Sequence, residues 1–593
     1  MLDLFGTVGG EKRQDLFGGE KRQDLFDDDS PSPPPPSSAN IPRLKNRKLN
    51  KQFQDTKRAW RSQRDKLQIY VVGKTQIATT KIEKNLGSCL AAPHLSISVQ
   101  GNSTFSAYSN SKPLLRDFMA EQDGVAAAAK AAQPKSRPVG GTEYSWCRAV
   151  PGGTGITVLA ILLSKPIDIP LLENTLRKLQ IAHPILNSKL HYHAATNSFS
   201  YVTPPTPRLQ IQPYDHPSTA EILLRRAASP SVSDFHLILE HELNRNTWHN
   251  PDPSSDSDSD ADTFFATVYD LNGGKRALAL RLHTSACDRA TAAALLTELL
   301  PPLVGNGGQE EGTQREIQSQ GEVGLGIEDY IPNGKANKPF WARGLDMLGY
   351  SLNSFRLSNI AFHDTESPRA SQVARLTLDK HDTRRILDGC EGRGIKLCGV
   401  LSAAGLIAAR ASKELPDNRY EKYAVVTLMD CRSILDPVLS ANHAGFYHSA
   451  ILNTHDIKGG EDIWELAKRT YTSFANAKNN NKHFSDMADM NFLMGKAIDN
   501  PGLTPYSSMR TSFLSVFEDP IAITDQSAHL RHEVGVEDFI GCSSVHGIGP
   551  TIAIFDTIRD GELDCACVYP SPLHSRQQMQ GLIDDMKRIL VEC

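Results

Sequence analysis

An imidazole and a carboxylate flank one short turn in this chain, at His283-Thr284-Ser285-Ala286-Cys287-Asp288. A neutral histidine with a pKa of about 6.5 can take a proton from a hydroxyl or amine at neutral pH. His283 is therefore a candidate general base and Asp288 a candidate supporting acid. A second imidazole, His546, lies in the small-residue run Ser543-Ser544-Val545-His546-Gly547-Ile548-Gly549-Pro550. Its glycines Gly547 and Gly549 would let backbone come close to a ligand, or would simply make a tight turn. Other matches fail on a missing residue. His241-Glu242 begins like a zinc-protease helix, but Arg245 stands where the second His belongs. Val71-Val72-Gly73-Lys74-Thr75 ends like a phosphate loop, yet Gln68 takes the place of its first glycine. The ten cysteines are scattered without C-x-x-C pairs, which argues against a zinc knuckle or a disulfide framework and for a reducing compartment. Cys565 and Cys567 should share one face of a strand as small buried hydrophobes.

The elements that would position His283 and Asp288 are a hairpin and a helix. Phe264–Leu271 reads as one arm, Asn272-Gly273-Gly274-Lys275 as its turn, and Arg276–His283 as the return arm. On that arm Leu278, Leu280 and Leu282 alternate with Ala277, Ala279, Arg281 and His283. An Ala/Leu helix to about Leu300 follows, with Asp288 as its N-cap. Upstream, Thr157–Leu163 reads as a buried strand, and Pro170 opens a helix with Leu172, Leu176, Leu179 and His183 on one face. Asp252–Asp262 reads as a solvated acidic loop. Downstream, strands are expected at Gln372–Leu378, Tyr423–Met429, Phe513–Phe517, Thr551–Phe555 and Leu563–Val568. Helices are expected at Phe340–Phe355, Thr383–Cys390, Gly399–Ala411, Ile463–Ala475 and Ser575–Val591. The run Ser543–Pro550 reads as a loop before a strand.

Length and composition frame these pieces. The chain has 593 residues, more than one ordinary core holds, with 39% hydrophobic and 22% charged residues, as in a globular protein with unstructured additions. A net charge of −4 provides no drive toward nucleic acid or an anionic membrane. No apolar run reaches membrane-spanning length, and the acidic, Gly-rich start lacks a signal core, so a cytoplasmic protein is expected. Gly9–Phe17 is repeated at Gly18–Phe26, a Pro/Ser run follows, and residues 41–66 are basic around Trp60. Residues 1–137 are expected to form a disordered extension, with a first lobe at 138–304, a crossover linker at 305–371 and a second lobe at 372–593.

The order of elements over roughly 140–593 resembles the CoA-dependent acyltransferase superfamily, which includes chloramphenicol acetyltransferase, plant BAHD acyltransferases and the condensation domains of peptide synthetases. The residues carrying the likeness are His183-Pro184-Ile185-Leu186, His283 to Asp288, Asp430-Cys431-Arg432 and Gly547-Ile548-Gly549-Pro550. Within that group the chain is most similar to plant condensation-domain-containing proteins. The resemblance implies an α/β, two-lobed chloramphenicol acetyltransferase-like fold, with mixed sheets, flanking helices and an interlobe tunnel. It implies His283 as base, Asp288 as structural acid and Arg432 as the partner of Asp288. It also implies His546, Gly547 and Gly549 beside the acyl donor. The family motif is His-x-x-x-Asp, often followed by Gly. Here the spacing from His283 to Asp288 is one residue longer, Cys287 stands at the expected Asp position, and Arg289 follows in place of Gly. A bulge could absorb the extra residue.

The activity so implied is acyl transfer from a CoA or carrier-protein thioester to an alcohol or amine. His283 would remove the acceptor proton, and Ser285 or Thr284 would donate to the oxyanion. Acyl-CoA would be a co-substrate, with no tightly bound cofactor. The expected partners are a small-molecule acceptor, an acyl thioester and in some settings a carrier protein, and the protein is expected to be a monomer. A competing reading is an inactive condensation-like scaffold, for which the lengthened motif speaks and in which Arg289 would fill the tunnel. A third, nucleic-acid binding, rests on residues 41–66 alone and is not expected.

Overall fold

The computed structural model describes residues 135–226, 232–248, 259–304, 322–339, 341–343, 357–504, 508–523 and 528–593. The strands of the first half are β1 (Lys135–Pro138), β2 (Thr154–Leu163), β3 (Lys189–His193), β4 (Ser198–Thr203), β5 (Ile211–Tyr214), β6 (Ser259–Asp262), β7 (Phe264–Asp270) and β8 (Arg276–His283). Those of the second half are β9 (Ala370–Leu378), β10 (Glu421–Asp430), β11 (His448–Ile457), β12 (Arg510–Phe517), β13 (Ile521–Ile523), β14 (Val536–Val545), β15 (Gly549–Arg559) and β16 (Glu562–Ser571). Among the described residues these strands form three sheets. One runs β1-β4-β3-β6, a second β14-β2-β8-β7-β5, and a third β11-β10-β12-β15-β16-β9 with β13 beside β15.

The second sheet is built on the hairpin read from the sequence. β7 and β8 pair antiparallel from Phe264↔Leu282 to Asp270↔Arg276, and β2 pairs with β8 from Ile156↔His283 to Leu163↔Arg276. Neither ladder is interrupted, so β8 carries no bulge at its end. Period-two alternation divides the sheet cleanly. Leu159, Ile161, Leu278, Leu280 and Leu282 pack under the helices Ile169–Ala182 and Arg289–Leu303. Val158, Ala160, Ala277 and Ala279 face the helix Asp234–Leu243 and reach Val373, Ala566 and Val568 of the third sheet. β14 is supplied by the second half of the chain, yet it pairs with β2 and completes this sheet.

Several sequence expectations change here. Ser543–Val545 are the end of β14 and Gly549 begins β15, so the expected loop shrinks to the turn between them. Val536–Cys542 of β14 carries no clear strand signal in the sequence, because Gly541 and two acidic residues dilute its apolar pattern. The acidic stretch ends in strand β6, paired with β3. The β7–β8 connection is a 3-10 segment with Gly273 and Gly274 both at φ 75°, longer than a two-residue hairpin turn. The helix after Asp288 runs on to Leu303, past Pro301 and Pro302. The expected helix at 340–355 falls almost wholly outside the described residues, as does nearly all of the extension, whose last residues open β1; the crossover is described at 322–339, 341–343 and 357–371. Cys565 and Cys567 are both fully buried in β16.

The failed metal motif at His241-Glu242 has a structural use. Glu242 is fully buried and receives Arg281 Nε at 2.9 Å and the Tyr269 hydroxyl. Arg281 also donates to Arg245 O at 2.8 Å and Thr247 Oγ1 at 2.9 Å. Removing one member strands the other's charge in the core. Arg281→Ala should therefore lower unfolding free energy by about 3–5 kcal/mol. A urea midpoint unchanged from wild type would refute this assignment.

Candidate active site

Asp288 caps the helix Arg289–Leu303, accepting from Thr291 N at 2.8 Å through Oδ1. The same carboxylate is grasped by Arg432 from the end of β10, Nη2 on Oδ1 at 3.0 Å and Nη1 on Oδ2 at 2.9 Å. Oδ2 further accepts Tyr447 N at 2.8 Å and His448 Nδ1 at 2.9 Å. Two contacts to one backbone carbonyl knit the same junction: Asp288 N donates to Gly445 O at 3.1 Å, and the Thr291 hydroxyl Oγ1 to the same oxygen at 3.0 Å. Gly445 has φ +149°, and a Cβ there would lie 2.6 Å from the Tyr447 ring, so only glycine fits this turn. Burial alone would raise the Asp288 pKa. Arg432 and then His448 outweigh it and hold the carboxyl well below the usual carboxylate range.

His283 lies elsewhere. As the last residue of β8 it shares the face of Arg281, opposite that of Leu282. It is fully buried with its ring 5.2 Å from that of Trp248, edge to face. Ser285 N–H donates to Nδ1 at 3.2 Å and Ser285 Oγ bonds it at 2.7 Å, while Tyr201 OH donates to Ser285 Oγ at 2.7 Å. Nδ1 is thus the acceptor nitrogen and Nε2 carries the ring proton, sealed from solvent and without a hydrogen-bond partner among the described residues. Burial pushes the His283 pKa down to about 3. The imidazole expected to act as base therefore has its lone pair covered by Ser285 and faces away from the cavity described next. Ser285 is buried with it.

A cavity lies between the second and third sheets, on the Leu282 face, with about 1000 Å³ of empty space including its open mouth. Its wall is mainly apolar, with Trp146, Leu159, Leu296, Phe446, Phe517 and Phe555 prominent. Thr284, one residue beyond His283 and on the Leu282 side, is in the wall. Its Oγ1 lies 2.7 Å from Thr157 Oγ1, which lies 2.7 Å from Ser543 Oγ, so a row of hydroxyls crosses β8, β2 and β14 along the cavity. Counting back four from the residue that pairs with Arg432 also lands on Thr284. A His-x-x-x-Asp spacing counted back from Asp288 would thus begin at Thr284. Cys287 lines the cavity, but burial and then Asp288 push its thiol pKa far up, so it stays protonated. Arg289 does not plug the space. It folds back onto Asp556, Nη1 to Oδ1 at 3.0 Å, with its guanidinium 4.2 Å from the Phe517 ring centre.

His546, Gly547 and Gly549 are not among the residues lining this cavity. His546 Nδ1 bonds Ser371 Oγ at 3.0 Å, and its ring fills the space over Gly153. A Cβ on Gly547 would lie 2.4 Å from Gly152 O, so its close approach is to this chain's own backbone. Arg510 binds the turn from beneath, donating to Val545 O at 2.9 Å and to Gly547 O. His546, Gly547 and Gly549 thus sit in a clamped turn outside the lining, while Ser543, Ser544, Val545 and Pro550 of the same run line the cavity. The residues missed from sequence are His448 and the hydroxyls Thr157 and Ser543. No local signal marks them, because each belongs to the site through a partner on a distant strand. His183, part of the sequence likeness, bonds Glu298 at 2.7 Å on the neighbouring helix.

The model for the C-terminus of phthiocerol/phthiodiolone dimycocerosyl transferase matches residues 367–482. Among solved structures, the TRI3 trichothecene 15-O-acetyltransferase from Fusarium sporotrichioides aligns at TM-score 0.57 and 11% identity, covering 77% of this chain and 95% of that one. The EpoB NRPS cyclization-docking bidomain from Sorangium cellulosum aligns at 0.51 and 12% identity, covering 84% and 96%. No curated protein matches the sequence. The chain has the two-lobed mixed α/β fold of condensation and chloramphenicol acetyltransferase-like domains. No helix among the described residues is long and apolar enough to cross a membrane.

The depressed Asp288 pKa has a sign. A carboxyl whose pKa falls on folding adds stability above its unfolded value of about 3.9 and loses it as pH drops toward the folded value. At pH of about 7, Asp288→Asn should cost about 3–5 kcal/mol, because Arg432 loses its charged partner. The gap should narrow below pH of about 4 as the wild type loses its advantage. A gap in urea midpoint that stays constant through the acid range would contradict the ion pair.

Proposed function

We propose that this protein is an acyltransferase that moves an apolar acyl group from a CoA or carrier-protein thioester to an alcohol or amine in the cavity between the two larger sheets. The observation that carries the reading is the cavity itself. It is apolar on most of its wall, drawn from both halves of the chain, and floored by the Thr284–Thr157–Ser543 hydroxyls. Apolar walls suit an acyl chain and exclude water from a reactive thioester. The hydroxyl row offers donors to a carbonyl oxygen as it gains negative charge. The acceptor would attack the thioester carbonyl directly, so catalysis would rest on positioning and on charge stabilisation. The likeness in fold to an O-acetyltransferase, and the local match to an acyltransferase C-terminus, agree with this reading. Its further particulars are a cytoplasmic monomer, acyl-CoA as co-substrate and an occasional carrier-protein partner.

A second reading is a catalytically inactive, condensation-like binding protein. One observation favours it: a threonine stands where the motif would put its base, and the neighbouring histidine faces the other way.

The two readings separate in an assay of the full chain with acyl-CoAs from acetyl to palmitoyl, following thiol release with and without mixed alcohols and amines. Acceptor-dependent release is expected, with preference for longer acyl groups. Ala293 lines the cavity one turn into its helix. Ala293→Phe should move the optimum toward shorter acyl chains, with a change of about tenfold in relative kcat/KM for the longest donor. A folded protein that neither releases thiol nor binds any acyl-CoA would leave the binding-protein reading.

A further inference from the structure

Among the described residues lining the cavity there is one imidazole, and it is His448. It opens β11, opposite Asp430 in the β10 ladder. Its Nδ1 lies 2.9 Å from Asp288 Oδ2. Asp288 is ionised, gripped by Arg432 and by backbone N–H groups, and can only accept. The ring proton is therefore on Nδ1, and the lone pair is on Nε2. No described residue hydrogen-bonds Nε2, and unlike its counterpart in His283 it is not sealed away from solvent. Phe517 meets the ring edge to face at 5.8 Å between centres, and Phe446 packs at 6.2 Å. The Gly445 turn and the Tyr447 N–H bond fix the backbone that carries it. The other histidines near these strands do not compete. His283 has its lone pair covered on the far face, and His546 is tied to Ser371 against Gly153.

We propose that His448, oriented by Asp288, is the general base of this cavity, having taken over the task that the turn residue at position 284 cannot perform. The proposal rests on the acyl-transfer reading above. The acceptor's oxygen or nitrogen forms a bond to the thioester carbonyl carbon as its proton passes to His448 Nε2. The tetrahedral centre then breaks its C–S bond, and the leaving thiolate takes the proton back from Nε2. Both ring states are accommodated: the imidazolium formed between the two steps keeps its Nδ1–H bond to a carboxylate, as an oriented Asp–His pair requires. Asp288 is a positioning residue in this scheme. Thr284, relieved of the base's role, faces the reacting carbonyl as a hydroxyl donor.

The test combines chemical modification with a variant. Full-length wild-type protein is treated with diethyl pyrocarbonate, which acylates an accessible imidazole lone pair, and labelled histidines are mapped by mass spectrometry with and without decanoyl-CoA. His448 should take the label, His283 should not, and decanoyl-CoA should slow labelling at His448 by about tenfold. In the transfer assay His448→Gln should lower kcat by about 10²–10⁴ while KM for the acyl-CoA stays within about threefold. Three results would overturn the proposal: His448 unlabelled in the folded protein, labelling that decanoyl-CoA does not slow, or a His448→Gln kcat within about threefold of wild type. Labelling needs no variant, so a misfolded His448→Gln does not remove the test. If wild type transfers no acyl group while His448 is labelled and protected, the acyl-transfer reading is what fails, and the assignment of an accessible, Asp288-held base stands.

Discussion

The paired bonds between Asp288 and Arg432 hold the functional region together. Asp288 belongs to the helix that follows β8, and Arg432 to the end of β10, so one ion pair joins the second sheet to the third. Its geometry propagates. Thr291 caps onto it, Gly445 bends to meet it, and Tyr447 and His448 are drawn to its second oxygen. Desolvating two charges offsets much of their attraction, so the pair adds less net stability than its short distances suggest. What it specifies is register: one angle for the helix and one starting residue for β11.

The second constraint is the sharing of a strand. β14 comes from the second half of the chain and completes the first half's sheet beside β2. The cavity wall is therefore drawn from both halves, and Ser543 enters a hydroxyl row whose other members lie far away in sequence. Charged groups close to the cavity are paired or turned aside. Arg289 lies on Asp556 and Phe517, Arg510 binds carbonyls of the turn after β14, and Arg281 pairs with Glu242 on the opposite face. An apolar space with a few fixed polar groups remains, which is how a site selects an apolar substrate and still orients its reactive end.

Facing explains why two neighbouring residues differ so much. His283 and Thr284 are adjacent, but the strand alternates up to His283, so the histidine joins Arg281 and Trp248 while the threonine follows Leu282 toward the cavity. A bulge would have reversed this, and the uninterrupted β2 and β7 ladders exclude one.

By itself, the sequence determined what is local. The hairpin arms, the buried strand before them, the amphipathic helices and the Asp288 N-cap follow from period-two or period-3.6 patterns and from capping chemistry within a few residues. Asp288 and Arg432 were legible as a candidate pair because family likeness linked them, and the alternation of Leu282 and His283 was legible too. Only the tertiary structure decided which of those two faces looks into the cavity, because facing depends on what packs against a sheet. The same holds for β14 beside β2, for the turn at Gly547 closing on this chain's own backbone, and for His448 meeting Asp288. Each is a contact between segments far apart in the chain, and no periodicity within one segment encodes the identity of a neighbour that folding brings to it.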